Sequence, residues 1–153
     1  MGTGAMMRPA RLLLSLGAAL AAAACEKAGD AQLPTVPLDV ARPCEVEAGC
    51  VAAAENLSMR FSLGPELRAL EPFPVLVELQ SEQQVESVIV SFSMPDMDMG
   101  VNRYRLISDG ADRWIGNVTL PTCASGRSDW IARFELTSEG RRFAAEVPFT
   151  LSR

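Results

Sequence analysis

From Leu57 to the C-terminus apolar and polar residues alternate with a period of two, and that alternation most narrows what the chain can fold into. Side chains along a strand point to opposite faces in turn, so each alternating run predicts a strand with one dry face. Leu57, Met59, Phe61 and Leu63 share a face, opposed by Ser58, Arg60 and Ser62. Phe73, Val75, Val77 and Leu79 repeat the pattern, and Val88, Val90 and Phe92 follow a polar turn over residues 81–84. Tyr104 and Leu106 come next, then Trp114, Gly116, Val118 and Leu120, with Asp109-Gly110 supplying turn chemistry between them. Trp130, Ala132, Phe134 and Leu136 precede the Ser138-Glu139-Gly140 turn, and Phe143, Ala145, Val147, Phe149 and Leu151 close the series. Pro148 faces the other way and suits an edge. Seven strands at this spacing predict an all-β, antiparallel, immunoglobulin-like β-sandwich over residues 44–153. No convincing helix follows the leader; residues 51–57, VAAAENL, are compatible with a helical turn but are short and end in a strand.

A different composition precedes the strands. Arg8 and Arg11 are followed by an apolar run, Leu12 to Ala24, that ends in Ala22-Ala23-Ala24-Cys25. A basic start, a short apolar stretch and small residues before a cysteine predict a lipoprotein signal peptide over 1–24, with Met1, Met6 and Met7 as alternative starts. About a dozen apolar residues do not reach across a bilayer, which takes about 20. Cleavage before Cys25 leaves that residue to carry the lipid anchor, so the membrane itself is the first expected partner. Glu26 is not the Asp that favours retention in the inner membrane, and the expected location is the periplasmic side of the outer membrane. Residues 25–43 hold three prolines and no apolar period, which predicts an extended tether.

The leader holds two arginines and no acid, so its removal takes the net charge from −5 to about −7. That field repels nucleic acid and anionic lipid surfaces. Histidine is absent, which removes the commonest general base and the commonest metal ligand at neutral pH. No GxSxG, SxxK, HExxH or phosphate-binding glycine loop occurs. The expectation is a non-enzyme. With Cys25 lipidated, Cys44, Cys50 and Cys123 remain; the close pair Cys44 and Cys50 predicts a local disulfide and leaves Cys123 as a free thiol, although the letters alone permit the other two pairings.

Three of the four methionines outside the leader lie in Met94-Pro95-Asp96-Met97-Asp98-Met99-Gly100. Thioether sulfur is neutral and soft, binds Cu(I) without losing a proton, and offers little to Zn(II). Pro95 interrupts the strand and Gly100 permits a sharp exit, so Met94, Met97 and Met99 are candidate Cu(I) ligands, with Asp96 and Asp98 solvating the loop. Cys123, in the turn-rich Leu120-to-Arg127 connection, is a fourth candidate if the fold brings it near. The competing reading is packing: Met94 is in phase with Val88, Val90 and Phe92, and Met97 and Met99 serve as apolar filler at one end of the sandwich. Tyr104, Trp114 and Trp130 are expected in the core, and Arg103, Arg105 and Arg127 in surface ion pairs.

The run from Ser93 to Trp130 carries a resemblance. MPDMDMG, then Asn102-Arg103-Tyr104, Trp114, Gly116, Leu120-Pro121-x-Cys123 and Ser125-Gly126-Arg127 resemble a group of small proteobacterial secreted proteins of unassigned function. At fold level the chain is similar to YtkA-like and FixH-like domains, and more loosely to periplasmic copper carriers of the CopC type; the resemblance covers roughly the last 100 residues. It implies copper trafficking or resistance, with a copper-donating or copper-accepting protein as partner. Such carriers combine methionine with histidine, so only the Cu(I) half of their chemistry transfers here, to Met94, Met97 and Met99. The alternative expectation is an envelope scaffold or interaction module that holds no metal.

Overall fold

The computed structural model describes Met1, Gly2 and residues 33–152; the rest of the predicted signal segment, Cys25 and the first part of the tether lie outside the described residues. In chain order the strands are β1 (Thr35–Pro37), β2 (Asp39–Val40), β3 (Cys50–Ala54), β4 (Leu57–Leu63), β5 (Phe73–Ser81) and β6 (Val85–Met94). They continue with β7 (Met97–Arg105), β8 (Ile107–Ser108), β9 (Arg113–Val118), β10 (Asp129–Ser138) and β11 (Arg141–Thr150). The described residues contain no helix.

Two sheets form, β1-β11-β10-β6-β7 and β2-β3-β4-β5-β9-β8. The orders β4-β5-β9-β8 and β11-β10-β6-β7 are those of strands A-B-E-D and G-F-C-C′ in an immunoglobulin-type sandwich; within these eight strands β5–β6, β7–β8 and β9–β10 change sheet, as β1–β2 does before them. The predicted β-sandwich is therefore present, and every predicted run overlaps an observed strand, with Leu106, Leu120 and Leu151 lying just past the ends of β7, β9 and β11.

The dry faces are those that the alternation marks. Leu57, Met59, Phe61 and Leu63 of β4, and Val88, Val90, Phe92 and Met94 of β6, are all buried. Phe61 of one sheet meets Phe134 of the other with ring centroids 4.4 Å apart, and Phe73 meets Phe92 edge-on at 6.2 Å. These contacts fix the spacing of the layers.

Eleven strands replace the expected seven, and the difference lies in short segments. Alanine favours helix in isolation, but Ala52 is fully buried, Cys50 is tied by a disulfide and β3 alternates buried and exposed, so packing overrides propensity over residues 50–54. The tether expected over 25–43 ends sooner. Val36, Leu38 and Val40 alternate behind the prolines; β1 pairs parallel with β11, Leu38 is 5% exposed, and its N–H donates to Ala144 O at 2.7 Å. Strand β8 is a two-residue continuation of β7 on the other sheet, pairing Ile107 with Ile115.

Candidate soft-metal site

The predicted bridge is present: Cys44 and Cys50 form a disulfide, with Cα atoms 5.0 Å apart. Cys123 is a free thiol and half-buried.

The candidate ligands come from two connections at one end of the sandwich. The first is the corner between β6 and β7. Pro95 occupies its second position and Asp96, at φ 58°, its third, the pattern of a type II turn, and Met94 faces Met97 across it. The ladder then jumps, since Phe92 pairs with Asn102. Ser93 alone thus stands opposite the four-residue segment 98–101, an irregular bulge that pushes those residues outward. The bulge is braced locally: Gly100, at φ 71°, donates its N–H to Asp98 Oδ1 at 2.8 Å, and Asn102 Nδ2 donates to Met99 O at 3.0 Å. Val101 at its crest is 94% exposed.

The second is the β9–β10 crossover. Strand β10 pairs with β6 from Ile131 and Ser93 onward, so the segment just before β10 arrives beside the β6–β7 corner. Cys123 Sγ lies 2.9 Å from Met97 Sδ, with the thiol as donor. This contact joins residues 26 positions apart. Ser125 Oγ lies 3.0 Å from the same sulfur.

Met94 is 3% exposed and packs in the core, as its strand phase permits, whereas Met97, Met99 and Cys123 are half-buried at the core's edge. The fold therefore brings Met97 and Cys123 into contact and places Met99 on the same side of β7 as Met97. Asp98 is committed to the Gly100 N–H and Asp96 is exposed, in keeping with a solvating role. A cavity of about 20 Å³ lies beneath the loop, lined in part by Cys123, Arg127 and Trp130. That volume suits a single water-sized guest and no organic ligand.

The Ser125 hydroxyl, with the backbone N–H groups of Ser125 and Arg127 and the nearby Arg127 charge, holds the Cys123 thiol below the usual thiol range against the opposing effect of burial. The same contacts ease loss of the thiol proton beside a thioether. Among the described residues no group of three or more His, Cys, Asp or Glu is placed to hold a metal ion. Hard-cation and zinc chemistry lack a ligand set there, and the sulfur pair is the soft alternative.

By residue type Arg127 is expected in a surface ion pair. It does pair with Asp129, and it also donates from Nη1 to Pro95 O at 3.0 Å, joining the two connections. Its partner lies 32 positions away, so no local signal marks it. Trp130 is buried as expected, while Tyr104 is half-buried and its hydroxyl donates to Thr119 O at 2.6 Å. Comparison with protein-family models, curated proteins and solved structures finds no match to this chain.

Proposed function

We propose that this chain is a non-catalytic envelope lipoprotein that binds Cu(I) through Cys123 Sγ and Met97 Sδ, with Met99 as the adjacent thioether, and passes the ion to a partner copper protein. The 2.9 Å contact between the free thiol and Met97 carries the reading, because it joins two independently predicted soft ligands from separate loops. Soft sulfur suits a monovalent coinage metal, and the acidic chain attracts cations. The membrane side of the proposal rests on Cys25 and the segment before it.

Binding balances simply. The thiol proton leaves to solvent, a copper–thiolate bond forms, and the thioether donates a lone pair without losing a proton. Metal–sulfur bonds are about 2.3 Å long, so two sulfurs around one ion stand near 4 Å apart and the pair opens by about 1 Å.

The test is a Cu(I) titration of the full chain in detergent, without oxygen, against a chromogenic Cu(I) chelator. One ion per chain is expected, with Cys123→Ser and Met97→Leu each weakening retention about tenfold or more. A wild-type chain that surrenders all copper, or variants that retain it equally, overturns the reading.

The exposed edge supports a second reading, a scaffold that pairs with another envelope protein. Strand β7 runs nine residues along a sheet edge and carries Val101 at 94% exposed. A stoichiometric membrane partner retained by the Cys123→Ser and Met97→Leu variants is its distinguishing result.

A further inference from the structure

We propose that Arg127 is a latch: its guanidinium ties the connection that carries Cys123 to the corner that carries Met97, and so sets the separation that an incoming Cu(I) ion meets. This assignment of a positioning residue rests on the Cu(I) reading above.

Three bonds converge on the side chain. Nε donates to Asp129 Oδ1 at 2.9 Å and Nη2 donates to Asp129 Oδ2, while Nη1 donates to Pro95 O at 3.0 Å. Asp129 opens β10 and Pro95 is two residues from Met97, so a single rigid fork spans both connections. The sheet does not make this tie itself, because the β6–β10 ladder begins only at the Ser93–Ile131 pair. Beyond that pair, the Arg127–Pro95 bond and the Cys123–Met97 contact link the corner to the crossover.

An exposed ion pair alone is worth little. Arg127 differs from one because its third bond goes to a backbone carbonyl on the other loop, where it converts a charge pair into a distance constraint. Asp129 and Asp96 both bring carboxylate charge to the guanidinium, and Asp96 belongs to the same corner as Pro95. Lysine supplies the charge without the planar fork, and so cannot keep the bidentate hold on Asp129 while a separate nitrogen reaches Pro95 O. With the corner held at Pro95 O, the sulfurs part far enough to admit one ion while Met97 stays within bonding reach of it.

The test compares Arg127→Gln and Arg127→Lys with wild type and with Arg133→Gln, an arginine that pairs with Glu135 and Glu146. In metal-free full chain, the NMR resonance of the isotope-labelled Met97 methyl in Arg127→Gln moves toward its position in Cys123→Ala, while the buried Met59 methyl stays fixed. In Cu(I)-loaded chain, X-ray absorption shows one sulfur fewer at copper and chelator competition shows affinity down about tenfold to a hundredfold. Arg127→Lys recovers part of each effect and Arg133→Gln behaves as wild type. An Arg127→Gln chain whose Met97 resonance is unchanged overturns the latch, and so does one with unaltered sulfur count and affinity. If wild type takes no Cu(I), the metal reading falls while the metal-free NMR comparison still decides the latch.

Discussion

Gly100 donates its N–H to Asp98 Oδ1 at 2.8 Å, closing the bulge that stands between Met97 and the rest of β7. Gly100 sits at φ 71°, and no neighbouring atom lies within 4 Å of where a Cβ would be. Replacement by alanine therefore strains the backbone without a clash and costs about 1 kcal/mol. Gly100→Ala is expected to lower the urea midpoint slightly, and to weaken Cu(I) retention more than that small stability loss implies, because Met99 is the preceding residue. Equal stability and equal retention would show that the bulge has no part in placing the thioethers.

The Cys44–Cys50 bridge closes a loop whose Val46 is buried and whose backbone continues the fold, with Leu63 N donating to Val46 O at 2.9 Å. A cross-link over six residues removes denatured-state entropy worth about 2 kcal/mol. The double variant Cys44→Ala/Cys50→Ala is expected to lose about that much in urea unfolding followed by tryptophan fluorescence. Its Cu(I) stoichiometry should stay at one, since the sulfurs of the proposed site come from Met97 and Cys123. Loss of that one copper together with the bridge would show that the site depends on the Cys44–Cys50 loop.

The sandwich was legible because its dry faces alternate without interruption: each apolar set from Leu57 to Leu63, Phe73 to Leu79 and Trp130 to Leu136 is buried in the order the letters give. Segments too short to show a period were not. Val36, Leu38 and Val40 are separated by a proline and an aspartate, and the alanines of β3 signal helix until a neighbouring strand covers Ala52. At the site, residue types singled out Met97 and Cys123 separately, but their contact spans 26 positions and the Arg127–Pro95 bond spans 32. Neither leaves a local trace. Proximity of that kind arises from the crossover between sheets, and period and spacing carry no information about it.

Gly64 marks a place where two chains approach too closely for any side chain. A Cβ there would fall 2.4 Å from Pro74 Cγ and 2.6 Å from Pro74 Cδ, and Gly64 N–H already donates to Pro74 O at 2.7 Å. A pyrrolidine ring cannot rotate aside, so the strands must separate locally. Gly64→Ala is expected to cost about 1–3 kcal/mol, the range for overpacking. Urea unfolding measures it, and a loss within a few tenths of a kcal/mol of zero would mean that β5 shifts freely at Pro74.

In the metal-free protein the Cys123 thiol donates to Met97 Sδ, so a Cu(I) ion bound there as proposed would take the place of that proton and release one per ion below the thiol's pKa. The sign of the pH dependence follows. Below the thiol's pKa each unit of added acid lowers apparent affinity about tenfold, and above it the affinity is level. The Ser125 hydroxyl, the two backbone N–H groups and Arg127 lower that pKa, so the levelling point lies beneath the ordinary thiol range. Ser125→Ala removes the leading contribution, and its levelling point is expected at higher pH with an unchanged plateau. Chelator competition across a pH series, corrected for the chelator's own protonation, measures both curves. A flat wild-type profile with no proton released would show that copper, if bound, is held by thioethers alone and that the Cys123 sulfur is not among its ligands.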